Sequence, residues 1–281
     1  MLRYRTSALL YAFLIMAATP VAAVETDAPA ITWLVPDVPP VFVAKGPFVR
    51  QGAGDITLTV LQQQLPGYQH RVRRVSMSTF TVLMHDTSNK VCTPLLPAMP
   101  RYADTTAVSQ TLATMAPLRM ITFRDMLATL PRKDGAVALA ETLRRSLRTV
   151  YLDGWSHEDV QPLLARASDQ RNVLVLSDIT SPENALELLM ERQVDYLVGH
   201  GYLLHFARSK FGALADDLVL LPLAEALANT PVHVACLNNA WGRARIADID
   251  RVLADPSVQA DIARVLRHWY PAMDLSAEAQ R

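Results

Sequence analysis

Two cysteines, Cys92 and Cys236, are the side chains of this 281-residue chain whose pairing would say most about its chemistry and its compartment. Both stand in strand-like runs, Lys90-Val91-Cys92-Thr93 and Val232-His233-Val234-Ala235-Cys236, so a disulfide requires those two strands to be neighbours. Two buried free thiols are the alternative. A metal site is not expected, because neither cysteine has a CxxC partner. His200 and His205 stand five apart and do not share a helix face as the ligands of a zinc helix do. No Gly-x-Ser-x-Gly elbow, phosphate loop or dinucleotide glycine pattern occurs, so no catalytic residue and no cofactor is assigned, and an enzyme is not expected.

The amino terminus says where such cysteines would be used. Arg3 and Arg5 precede an apolar run over residues 8–18, and Val21-Ala22-Ala23 offers the small side chains that signal peptidase accepts. Cleavage after Ala23 is expected, giving a periplasmic protein in an oxidising compartment. An uncleaved anchor is the other reading, but the run falls short of the ~20 residues that cross a bilayer. The 27 basic and 27 acidic side chains balance, and loss of Arg3 and Arg5 leaves the remainder slightly acidic. Nothing here attracts nucleic acid. With 51% hydrophobic residues, the remainder has the apolar content to build one large domain or two lobes.

The elements that must position any site alternate between strand and helix. Strands are expected at 31–35, 70–75 and 91–96, separated by helices over 52–65 and up to residue 84. A strand at 118–123 and a helix at 136–148 follow. Strands at 149–152, 173–176 and 194–198 then enclose helices over 160–167 and from Ser181-Pro182-Glu183. Strands at 218–221 and 232–236 and helices at 244–253 and 258–270 complete the chain. Two β-α-β-α-β units argue for an α/β fold with two lobes, each a mostly parallel sheet flanked by helices, and a cleft between them. The crossovers are placed at 124–133 and 224–230, so that residues 24–125 with 231–281 form lobe 1 and 126–230 form lobe 2.

Several motifs carry a resemblance. Asp37-Val38-Pro39-Pro40-Val41-Phe42 closes the first strand with an acid, a Pro-Pro pair and an aromatic, and Gly52-Ala53-Gly54-Asp55 opens the next helix. Leu189-Met190-Glu191-Arg192-Gln193-Val194-Asp195 follows, then Val234-Ala235-Cys236 with Trp241-Gly242-Arg243. In this order, over almost the whole exported chain, they resemble the periplasmic solute-binding proteins of the amino-acid-binding class, family 3 of the type 2 periplasmic-binding fold. The resemblance implies a monomer that captures a small polar or anionic solute between its lobes for an ABC-type transporter and its inner-membrane permease. A ligand-sensing module that docks on a membrane sensor is the alternative.

The same resemblance implies a ligand set. Arg101, in Met99-Pro100-Arg101, takes the place of the arginine that grips the ligand carboxylate in a bidentate pair. Ser156, in Gly154-Trp155-Ser156-His157, matches the helix start of the second lobe, where a serine serves as cap and ligand donor. Asp37 and Phe42 form a rim, with Phe42 a better aromatic wall than Tyr102 or Trp33, the last expected in the core. His200 stands where amino-acid binders place the aspartate that pairs with an α-ammonium group. A neutral imidazole does not replace that charge and a protonated one repels a cation, so an ordinary α-amino acid is a poor candidate. Pro94-Leu95-Leu96-Pro97 replaces small polar residues and predicts a more apolar floor.

Overall fold

The computed structural model describes residues 28–152, 160–176, 182–226 and 229–269. The leader, Ser156 with its neighbours, and Ser181 lie outside them. In chain order the first elements are β1 (Ala30–Pro36), α1 (Ala53–Gln64), β2 (Gln69–Val75), α2 (Met77–His85), β3 (Val91–Pro97), α3 (Pro100–Ala103), β4 (Thr106–Val108), β5 (Ala113–Met115) and β6 (Arg119–Phe123). Next come β7 (Arg132–Lys133), β8 (Ala136–Val137), α4 (Leu139–Leu143), β9 (Thr149–Leu152), α5 (Gln161–Ala167), β10 (Val173–Leu176), α6 (Pro182–Met190) and β11 (Tyr196–Gly199). The last are α7 (Tyr202–Phe211), β12 (Leu218–Pro222), β13 (Thr230–Leu237), α8 (Ala240–Leu253) and α9 (Pro256–Trp269).

The first sheet has the order β2-β1-β3-β13-β4, and β5 also pairs with β13. β1 lies parallel to β2 and β3, and it reads as an almost unbroken apolar run because helices cover both faces of such a sheet. β13 runs antiparallel to β3. In the second sheet β11 and β12 flank β6, both antiparallel to it, while β9 and β10 pair in parallel. β9 is tied to the start of β11 by Asp195 N–H donating to Arg148 O and by Thr149 Oγ1 donating to Tyr196 O. The strands that break the parallel pattern, β6 and β13, are the first after each crossing between sheets.

Two expectations change here. Residues 119–123 were expected in the first lobe, yet β6 pairs with β11 and β12, so the first crossing is the short link between β5 and β6, upstream of 124–133. The second crossing links β12 to β13. The helix expected over 136–148 is instead a β7–β8 hairpin followed by the five-residue α4. Asp134 and Gly135 at the hairpin tip have φ of 50° and 83°, the conformation that a tight two-residue hairpin turn demands. Glu225 then accepts from the N–H groups of Leu139 and Ala140 at 3.0 and 2.9 Å, which starts α4 late.

Cys92 and Cys236 face each other in the β3–β13 register and are joined by a disulfide, with both residues fully buried. The largest apolar core runs through both lobes, with Ile31 and Trp33 of β1 in the same cluster as Leu186 of α6, Leu197 of β11 and Phe206 of α7. Among the described residues no helix is long and apolar enough to cross a membrane.

Candidate functional site

The site begins where β1 ends. After Pro36 the chain turns back through the cis Pro39–Pro40 peptide, and the main chains of Val38 and Phe42 exchange hydrogen bonds of 2.9 Å. This turn lies hard against the start of α1, which explains the glycines there. A Cβ on Gly52 would stand 2.4 Å from Val41 O, and one on Gly54 would stand 2.2 Å from the Phe42 ring. Phe42 is thereby fixed and almost fully buried. The buried carboxylate of Asp55 holds the same turn from below, accepting from Val43 N–H at 2.8 Å and pairing with Arg74 at 2.7 Å.

A cavity of about 100 Å³ opens beyond this turn, at the carboxyl ends of β1 and β3. Strand ends that meet at such a crevice are where α/β sheets take ligands. From the first lobe it is walled by Val38 and Phe42, by Met77 and Phe80 of α2, by Leu95 and Leu96 of β3, and by Met99, Arg101 and Tyr102 around α3. From the second lobe come His200 and Tyr202, which join β11 to α7. Met115 and Val232, next to the two crossings, close it.

Its polar groups are few. The Arg101 guanidinium carbon lies 4.8 Å from the centre of the Tyr102 ring, a cation–π contact on the first-lobe wall. His200 stacks on Tyr202 with ring centres 5.5 Å apart. His200 keeps some surface, but protein encloses it, and burial pushes its imidazole down to about 4 against the weaker opposing effect of a hydrogen bond with the Ala116 backbone. It is therefore neutral at pH 7. Burial likewise raises the Tyr202 phenol, which stays protonated. No carboxylate is among the described residues of the wall.

The structure thus brings together Phe42, Arg101 and His200 from the expected set, with Tyr102 added. Asp37 departs from expectation: it does not line the cavity, because its carboxylate accepts from Ala44 N–H at 3.2 Å and braces the turn instead. Trp33 is buried beneath the sheet and donates to His70 Nδ1 at 3.0 Å. Ser156 falls outside the described residues. Met77, Phe80, Met99, Met115 and Tyr202 were not anticipated. Tyr202 was within reach of the sequence, two residues past His200 on one strand-to-helix link, whereas the methionines read as ordinary core. Among the described residues no group of three or more His, Cys, Asp or Glu side chains is placed to hold a metal ion.

No family model and no curated protein matches the chain. Solved structures do match over nearly its whole length. The BvgS periplasmic VFT2 domain of Bordetella pertussis is 16% identical, with 86% of this chain and 94% of that one covered at a TM-score of 0.56. The GluR0 ligand-binding core of Nostoc punctiforme, in complex with L-glutamate, is 13% identical, with coverage of 85% and 99% and a TM-score of 0.58. The probable amino-acid ABC transporter extracellular-binding protein ytmK of Bacillus subtilis is also 13% identical, with coverage of 87% and 98% and a TM-score of 0.58. At these identities the likeness is one of fold. This chain has the two-lobed α/β fold of periplasmic binding proteins.

Proposed function

We propose that this chain is an exported solute-binding protein that holds a small anionic solute between its lobes and delivers it to an ABC-type transporter. One observation carries the reading: Arg101 from the first lobe and His200 from the second stand in the wall of a single cavity at the strand ends. A ligand there touches both lobes, so its binding favours the closed arrangement over an open one. The Arg101 guanidinium supplies the charge and the fork geometry that grips a carboxylate, and Phe42 with Tyr102 supplies flat walls beside it. Ser156 is proposed as a further donor from the second lobe. The protein works as a monomer in the periplasm after loss of residues 1–23.

A thermal-shift screen of small solutes against the purified chain tests this. Some small anion raises the melting temperature, and the rise is lost in Arg101→Ala. A folded chain that responds to no solute, or an Arg101→Ala variant with unchanged response, overturns it. A ligand-sensing module docking on a membrane sensor is the second reading, favoured by the likeness to a BvgS periplasmic domain. Cross-linking in membranes distinguishes the two, by capture of a permease or of a sensor.

A further inference from the structure

We propose that Phe48 is a clasp between the lobes, carried on a loop of the first lobe and seated on α7 of the second, and that it holds the ligand-free chain closed. The proposal goes beyond the solute-binding reading, because it concerns the balance between open and closed lobes whether or not a solute is present. Three observations carry it.

The first is how the loop is built. Residues 43–50 leave the cavity turn and return to it, with Arg50 N–H donating to Val43 O at 2.9 Å. Inside the loop Val49 N–H donates to Gly46 O at 3.2 Å, and beyond it Gln51 N–H donates to Phe48 O at 3.0 Å. Two carboxylates pin its base, Asp55 on Val43 N–H and Asp37 on Ala44 N–H. Arg50 stands at φ 59°, a conformation that a residue other than glycine keeps where its surroundings hold it there. A compact loop of this kind presents its tip as a fixed part of the lobe.

The second is what the tip touches. Lys45, Val49 and Arg50 are exposed, whereas Phe48 is half-buried and sets its ring edge to face on Phe206, with centres 6.1 Å apart and planes at 64°. Phe206 lies on α7 and is almost fully buried. The Phe48 ring is therefore turned from a water-facing loop onto the apolar face of the other lobe, where its burial is favourable.

The third is what the contact connects. The loop grows from the turn that carries Val38 and Phe42 on the first-lobe wall of the cavity, and α7 opens with Tyr202 on the second-lobe wall. Rotation of the lobes about the β5–β6 and β12–β13 links separates side chains that meet from one lobe to the other. α9 also meets α7, with His268 against His205 at a ring separation of 5.9 Å, but the Phe48 contact is rooted on the cavity turn itself. Seating or freeing this ring thus moves the two walls together or apart.

Single-molecule energy transfer on the oxidised, ligand-free chain tests the proposal. Dyes are placed on Val82→Cys in the first lobe and Leu214→Cys in the second, both at exposed positions, while the Cys92–Cys236 bridge keeps the native sulfurs unlabelled. The parent is expected to be mainly closed. Phe48→Ala is expected to raise the ratio of open to closed molecules at least about threefold, and Phe48→Leu to raise it by less. Val49→Ala, at an exposed position of the same loop, is expected to leave the ratio unchanged. A folded Phe48→Ala variant with the parent's ratio overturns the proposal and leaves the solute-binding reading in place. Equal opening in Val49→Ala also overturns it, by assigning the effect to the loop rather than the ring, and so does a parent chain that is mainly open. If Phe48→Ala fails to fold, Phe48→Leu is read by the same criteria.

Discussion

At the scale of single residues, His200 and Gly54 determine most of what can be measured. The His200 imidazole titrates near 4 in the fold and at 6.5 when free, so between those values the unfolded chain binds the extra proton. Stability contributed by the neutral ring is present above pH 6.5 and is lost as pH falls toward 4, by about 3 kcal/mol in the limit. Chemical denaturation at pH 7 and at about pH 4.5 should show a smaller loss in His200→Gln than in the parent chain. Equal losses would contradict a buried neutral ring. Gly54→Ala should cost about 1–3 kcal/mol, since the new methyl would stand 2.2 Å from the Phe42 ring and force it to shift. A variant as stable as the parent would mean that Phe42 does not pack rigidly against α1.

The elements divide sharply into those legible in the sequence and those not. β1, α1, β2, α2 and β3 all fall within a few residues of expectation, because long apolar periods are bounded by strong stops such as Pro66-Gly67. The hairpin at Asp134-Gly135 was missed although that dipeptide is a hairpin signal, since the apolar residues after it imitate a helix. The sheet to which β6 belongs is not encoded in its own pattern at all; it depends on where β11 and β12 come to lie. For the same reason the site was only half legible. Arg101 and His200 announce themselves by charge and position, whereas Met77, Phe80 and Met99 become a wall only once α2 and α3 are docked. The β3–β13 pair carries a prediction of its own. Thiol titration under denaturing, non-reducing conditions should find no free sulfhydryl, and two free thiols would contradict the Cys92–Cys236 bridge. Replacing both cysteines with alanine should lower stability by roughly 2–5 kcal/mol, read by urea denaturation.

At the scale of the whole molecule, two lobes share one apolar core. Phe48, before α1, meets Phe206 of α7 edge to face with ring centres 6.1 Å apart, and α9 packs on α1 while reaching α7. Such continuity predicts a single cooperative unfolding transition, with fluorescence and far-ultraviolet circular dichroism giving coincident midpoints. Two separated midpoints would mean lobes that unfold independently. The central claim, that the cavity between the lobes is a solute site, is tested most directly by filling it. Met99 is half-buried on the cavity wall, and Met99→Trp should occupy the space without breaking the fold. The parent chain and this variant are screened side by side for thermal shift against the same small carboxylates. A ligand at a hundredfold excess over its Kd adds about 2.7 kcal/mol, so the account predicts a rise of several degrees in the parent and none in Met99→Trp. A flat response in both, or an equal rise in both, would contradict it.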